Sequence, residues 1–520
     1  MSFRLSMFLV GTLFATEASA GGSTDVVRDL ASRIGPIIGS AQVCRDIERA
    51  RVQVIVDKFQ AVILEASPQD PDRVELQRAF ERNIADGRNV VSFGKIDCKT
   101  AERQFSNLEK SLGLGSSSSL SGVIGPSSAA AATAPTAPLP PAAAAPASAV
   151  HGVTDNEIKF GIVGPFSGAA RELGRQMKLG IDSAFNRAND AGGIDGRKLR
   201  LIAADDGYEP TRTLDGMKQL YDKEQVFGFI GNVGTPTAQV AIPYALEKKA
   251  LFFGAFTGAN VLRSDPPDRY VFNYRASYAE ETDAVVRYLV KLRHLQPRQI
   301  AVLAQQDSYG DAGFAGVSKA FRVLGVDDSA IIRLNYKRNT VELDDAINEL
   351  KQQKTAIRAV VMVATYRAAA KFIEKTRDLF PGLIYTNVSF VGSTQLADEL
   401  MMLGPRFASG VIVTQVVPAV GGYSSAVLEY KAALNKYFPG ESPDYVSLEG
   451  YVAANVLIQA LKKTQPLDPE KVVDTLENLR DVDLGLGAAL NYGRAEHQAS
   501  HKVWGTAIDD KGKYQSLDLE

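Results

Sequence analysis

Residues 162–174 read IVGPFSGAARELG, an apolar strand that passes through Gly164-Pro165 and Ser167-Gly168 into a helix. A strand, a Gly-rich turn and a helix present free backbone N–H groups to an anion, the geometry that nucleotide sites use. The spacing here excludes a nucleotide. A P-loop ends in Gly-Lys-Ser/Thr, and the dinucleotide fingerprint needs three glycines at fixed spacing. Neither occurs, so the turn has to be read together with the rest of the chain.

From Ile158 the chain alternates strand and helix: IKFGIVG, a helix over Met177 to Ala191, KLRLIAAD, a helix after Pro210, then VFGFIG. The alternation resumes at RQIAVLAQQD and runs through AIIRLNY, AVVMVAT and VSFVGS. It ends in a hairpin, KVWGTAI and KYQSL, about Asp509-Asp510-Lys511-Gly512. Such alternation predicts parallel sheets with helices on both faces, here as two α/β lobes.

Upstream the composition differs. MSFRLSMFLVGTLFATEASA, residues 1–20, has an early Arg4, an apolar run and a small-x-small end at Ala18-Ser19-Ala20, the pattern of a cleaved export signal. Residues 21–112 are expected to form a small helical domain. Val52, Ile55, Val56, Phe59 and Ile63 share one face, and Leu76, Phe80 and Ile84 another beyond the Pro68–Pro71 break. Cys44 and Cys98 are the two cysteines, and export permits a disulfide between them, two buried thiols being the alternative. No partner for this domain is legible. Residues 113–150 are rich in Ser, Ala and Pro and cannot bury enough apolar surface to fold, so they read as a linker to residues 151–520.

The chain has a net charge of −2 and no block of Lys and Arg, which argues against a nucleic-acid partner. Catalysis also lacks its parts. None of the four histidines lies in a motif that would make it a general base, and His497 and His501 read as solvated surface groups. Asp205-Asp206 would point to opposite faces of a strand, so they read as turn or capping carboxylates. No cofactor or metal is expected. What recurs is a small, polar loop at the end of a strand: Gly164 to Ala169, GNVGTPTAQ after VFGFIG, and GAFTGAN after ALFF. In open α/β sheets ligands bind beyond the carboxyl ends of strands, and Thr235, Thr237 and Thr257 bring hydroxyls there.

GPFSGAARELGRQMKLGIDSAFNRANDAGGIDGRKLRL, GNVGTPTAQVAIP, FGAFTGANVLR, ASYAEET, QQDSYGDAG and SLEGYVAAN, in this order, resemble the type I periplasmic solute-binding proteins of the leucine/isoleucine/valine-binding family. The resemblance covers about residues 156–520. It implies two α/β lobes, about 156–276 with 419–485 and about 277–412 with 488–520, joined by three crossovers. The lobes would close on a small ligand and deliver it to an ABC permease in the inner membrane, from a periplasmic location. It further implies that Phe166 and Ser167 form the lip of the cleft, and that Gly234, Thr235 and Thr237 with Thr257, Gly258 and Ala259 grip the ligand. Tyr309 and Tyr366 would cover the ligand, and Tyr278 would lie near the hinge.

Where amino-acid binders of that family place an acid for the α-ammonium, FVGSTQLAD offers Thr394 and Gln395. A neutral group cannot neutralise a buried ammonium. A ligand without an α-ammonium, such as a small carboxylate or an amide, is therefore expected in preference to a branched-chain amino acid. Two other readings remain open at this point: a ligand sensor that signals to a membrane receptor, and an envelope interaction protein acting through its helical domain.

Overall fold

The computed structural model describes residues 22–44, 47–66, 70–92, 97–111 and 150–520. The expected export signal and most of the expected linker lie outside these residues. In the N-terminal part, α1 (Gly22–Val43), α2 (Arg49–Ala66), α3 (Asp70–Ser92) and α4 (Cys98–Ser111) are helical. Val27, Ala31 and Ile38 of α1 meet Ile55, Phe59 and Ile63 of α2, Leu76, Phe80 and Ile84 of α3, and Phe105 of α4 in one core. The two stripes read from the sequence thus face each other, with Phe59 and Phe80 at 4.5 Å between ring centroids. A disulfide joins Cys44 to Cys98 and ties the end of α1 to the start of α4.

The larger part begins with β1 (Glu157–Gly164), α5 (Arg171–Asp190), β2 (Lys198–Asp205), α6 (Pro210–Lys218), β3 (Gly228–Ile230), α7 (Thr235–Glu247), β4 (Leu251–Phe253) and β5 (Val271–Phe272). These five strands form one wholly parallel sheet in the order β2-β1-β3-β4-β5. After the short crossing 273–277 come α8 (Tyr278–Arg287), β6 (Ile300–Gln305), α9 (Ser308–Val323), β7 (Ile332–Tyr336) and α10 (Asp344–Lys351). They are followed by β8 (Ala359–Val363), α11 (Tyr366–Thr376), β9 (Ile384–Asn387), α12 (Ser393–Leu403), α13 (Pro405–Ala408) and β10 (Ile412–Gln415). A second crossing leads to α14 (Ser425–Tyr437), α15 (Tyr445–Lys463) and α16 (Pro469–Glu477), and a third to β11 (Trp504–Ile508) and β12 (Tyr514–Leu517). The second sheet is ordered β12-β11-β10-β9-β8-β6-β7, parallel except for β11, which runs antiparallel to both of its neighbours, β10 and β12.

Strands β6 and β8 are buried along their whole length, as expected for parallel strands covered on both faces. Helices α14 and α15 pack on α5, so the second crossing returns the chain to the first sheet. Gly180 of α5 permits that return, because a Cβ there would fall 1.8 Å from the carbonyl oxygen of Ser447 on α15.

Two sequence expectations change. VSFVGS is not a strand: β9 stops at Asn387, whose Oδ1 accepts the N–H of Val388, and Ser389–Val391 make a 3₁₀ turn that Gly392 closes at φ 80°. His497 is not solvated. It is 5 % exposed, and its ring stacks on Phe272 at 3.8 Å between centroids. Among the described residues no helix is long and apolar enough to cross a membrane, and no group of three or more His, Cys, Asp or Glu could hold a metal ion.

Candidate functional site

The carboxyl edges of the two sheets face each other, and aromatic residues just past the strands meet there. Tyr208, Phe256 and Phe390 stand three residues beyond the ends of β2, β4 and β9, and Tyr309 opens α9 after β6. Phe390, from the second sheet, lies nearly parallel to Phe256, from the first, at 5.0 Å between centroids. Tyr309 is 4.7 Å from Phe390, Tyr208 is 6.1 Å away, and Tyr278 stands 5.5 Å from Tyr309. Such tilted and offset pairs add about 0.5–1.5 kcal/mol each beyond area burial.

Tyr208 is held at φ 64°, a left-handed conformation that costs a non-glycine residue roughly 1–2 kcal/mol. Its ring reaches the start of α7, where Gly234 has no side chain to obstruct it: a Cβ at that position would lie 2.3 Å from the Tyr208 ring.

The polar half of the site is built on α7. The Thr235 and Thr257 hydroxyls are 2.7 Å apart, and the Tyr278 phenol lies beside Thr257 and the Gly258 N–H, its pKa raised by burial to about 12. The N–H groups of Thr235 and Thr237 open the helix, where no intrahelical carbonyl can reach them and the helix dipole favours negative charge. Tyr309 is fully buried, and its hydroxyl has no hydrogen-bond partner. An orphaned buried hydroxyl is costly unless something else satisfies it.

The neighbouring carboxylates are all occupied. Asp205 accepts from the backbone N–H of Phe166 at 2.8 Å and Ser167 at 3.1 Å, and from the Ser167 hydroxyl at 2.6 Å. Asp206 accepts from Tyr208 N–H and the Thr213 hydroxyl, each at 2.8 Å, and burial raises its pKa to about 6. The two acids do diverge and cap turns. Asp307 caps α9 through Tyr309 N–H and takes Arg338 at 2.9 Å; Arg338 also reaches Glu209, of the opposite sheet, at 3.0 Å. Gln305 donates to the Tyr208 hydroxyl at 3.3 Å, a second tie between the sheets.

Below the rings lies a buried charge cluster. Arg275, in the first crossing, donates to Glu281 of α8 at 2.9 Å and faces Glu449 of α15 at 3.4 Å, with the three side chains 1 %, 0 % and 4 % exposed. Glu281 is saturated, since it also accepts from Ser389 N–H and from the Ser389 and Thr414 hydroxyls. Burial pushes the Glu449 carboxyl up to about 7. For Arg275 burial works toward a lower pKa, but Glu449 and Glu281 outweigh it and keep the guanidinium charged. The guanidinium also lies over the Phe256 ring at 5.2 Å.

Of the residues singled out from the sequence, Gly234, Thr235, Thr257, Gly258, Tyr278 and Tyr309 gather here. Ala259 is buried beside them and donates its N–H to the Thr257 hydroxyl. Phe166 and Ser167 are fixed to Asp205, and the Thr237 hydroxyl turns back onto the Val233 carbonyl of its own turn. Tyr366 is buried near Leu173, Gly392 and Gln395. Thr394 is outside the ring cluster, with its hydroxyl directed at Asp444, which also accepts from Gln395 at 3.0 Å. The residue of this segment that enters the cluster is Phe390, because the chain turns inward directly after β9. Phe390, Phe256, Tyr208 and Arg275 were missed. A cavity of about 600 Å³ lies elsewhere, at the crossings, where His501 pairs with Glu280 at 2.6 Å.

Two parallel-sheet lobes, three crossings and a site at the facing carboxyl edges define a type I periplasmic binding protein. The periplasmic binding protein family matches residues 157–513, and the chain belongs to that family, in its leucine/isoleucine/valine-binding branch. A possible leucine/isoleucine/valine-binding protein from Rhodopirellula baltica SH 1 is 40 % identical, with a TM-score of 0.67 over 72 % of this chain and 98 % of its own. A Leu/Ile/Val-binding protein homolog 7 from Brucella abortus is 26 % identical over 67 % of this chain and 86 % of its own. An amino acid binding protein from Pseudomonas aeruginosa is 24 % identical over 71 % of this chain and 94 % of its own. The expected family and fold class are those found.

Proposed function

We propose that the protein captures a small solute between its two lobes in the periplasm and hands it to an ABC permease of the inner membrane, without chemical change to the solute. The observation that carries this reading is the meeting of Thr235, Thr257 and Phe256 from one sheet with Tyr309 and Phe390 from the other, around a buried hydroxyl that lacks a partner. Groups that complete a site only when both sheets meet suit hinge closure, in which the ligand supplies the missing contacts. Membership of a binding-protein family supports transport over catalysis. Residues 156–276 with 419–485 and 277–412 with 488–520 are taken as the two moving bodies.

A ligand that binds only the folded protein raises its melting temperature by mass action. In a thermal-shift screen of small carboxylates, amides and amino acids, a hit is expected in the wild type. Thr235→Val and Tyr309→Ala are each expected to weaken that hit by about tenfold, the value of one buried hydrogen bond to a charged group. Unchanged affinity in both variants would place the site elsewhere.

A further inference from the structure

We infer that the cleft takes a monocarboxylate with a flat apolar body, by preference an aromatic one, and no ammonium group. This rests on the reading of the cleft as a solute site and deepens it.

The first ground is the lack of an anionic partner. An ammonium excluded from water needs a carboxylate or several free acceptors. Asp205, Asp206, Asp307 and Glu209 are each satisfied by protein donors, and Glu281 is saturated by Arg275, Ser389 and Thr414. Glu449 faces Arg275. Five of these six carboxylates each hold two or more protein donors, and the sixth, Glu449, is paired with Arg275.

The second ground is the donor set. The opening turn of α7, with the Thr235 and Thr257 hydroxyls beside it, suits an anion. The Tyr309 hydroxyl, 0 % exposed and unpartnered, is an independent sign that a polar ligand atom belongs between the sheets.

The third ground is the stack. Phe256 and Phe390 lie face to face at 5.0 Å with an interplanar angle of 27°, and each belongs to a different sheet. When the sheets part, a flat ring entering between them replaces one ring–ring contact by two. A branched aliphatic chain has no such face to offer. Tyr309 and Tyr278 wall the slot from the side, and Arg275 backs Phe256.

Isothermal titration of the full chain with two matched pairs tests the inference: phenylalanine with 3-phenylpropanoate, and leucine with 4-methylpentanoate. Each deaminated acid is expected to bind at least ~10-fold tighter than its amino acid, the cost of a buried unpaired charge being larger than that. The aromatic acid is expected to bind roughly 3- to 10-fold tighter than the aliphatic one, and Phe390→Leu to erase that second preference. Phe390→Glu should shift the balance toward the amino acids. An amino acid binding as tightly as its deaminated partner overturns the inference and leaves capture intact. Binding that Tyr309→Ala does not weaken places the ligand outside the cleft and overturns the proposed function instead. Absence of binding by all four overturns the ligand class stated here, whereas the proposed function is then judged by the wider screen.

Discussion

Arg275→Met is expected to lower the unfolding free energy by about 3–5 kcal/mol at pH 8, because removing one partner of a buried ion cluster leaves uncompensated charge. Glu281 and Glu449 would then share a dry site without the guanidinium that pairs with both, and Arg263, which also acts on them, would offset only part of their charge. The loss should exceed that of a surface pair such as Arg406 with Asp378, whose side chains are more than half exposed and whose pairing contributes about 0–1 kcal/mol. Urea unfolding followed by circular dichroism reads both variants. A loss in Arg275→Met no greater than in Arg406→Met would mean that the cluster is not what holds the first crossing against α8 and α15. The Glu281→Gln, Arg275→Met double variant should recover part of the loss, since it removes one of the two stranded charges.

Glu449 produces the second large effect, and its sign comes from the direction of its shift. Its folded pKa of about 7 lies above the ordinary 4.5, so the folded protein holds this proton more tightly than the unfolded chain does. The contribution is full below about pH 4.5 and is lost as pH rises through about 7. The size of the shift corresponds to roughly 3 kcal/mol across that window. Asp206, raised to about 6 by burial, adds in the same direction. Wild-type stability, measured at intervals from pH 5 to pH 8.5, should therefore carry a falling component that Glu449→Gln removes. An unchanged slope in that variant would show that Glu449 remains ionised beside Arg275 throughout the range.

The α/β alternation was legible because parallel strands buried on both faces are short apolar runs between Gly and polar turns, as in AVVMVAT. The polar half of the site was legible for a related reason. Thr235 and Thr257 sit in small-residue loops at strand ends, where a core side chain would not be expected. The aromatic half was hidden, since Phe256 and Phe390 come directly after apolar strands and look like their continuation. Only the end of β9 at Asn387 and the turn closed by Gly392 reverse the chain and aim Phe390 at the opposite sheet. Arg275 gave no signal either. Its partner Glu449 is 174 residues away along the chain, a pairing that no local pattern encodes. Thr394 was assigned to the site by position within a motif, and the helix it opens turns its hydroxyl to Asp444 instead.

Closure of the two lobes on the ligand is the central claim, and a distance between them measures it most directly. Arg171 opens α5 of one lobe and Arg367 stands in the first turn of α11 of the other, with side chains 57 % and 40 % exposed. The native cysteines are bonded to each other, so Arg171→Cys and Arg367→Cys can carry spin labels in the full chain without interference. Pulsed dipolar spectroscopy is then run with and without a saturating amount of the solute that calorimetry shows to bind tightest. The distance distribution is expected to shift to a single shorter peak when the solute is present. An unchanged distribution under saturating ligand would contradict capture by closure between the sheets.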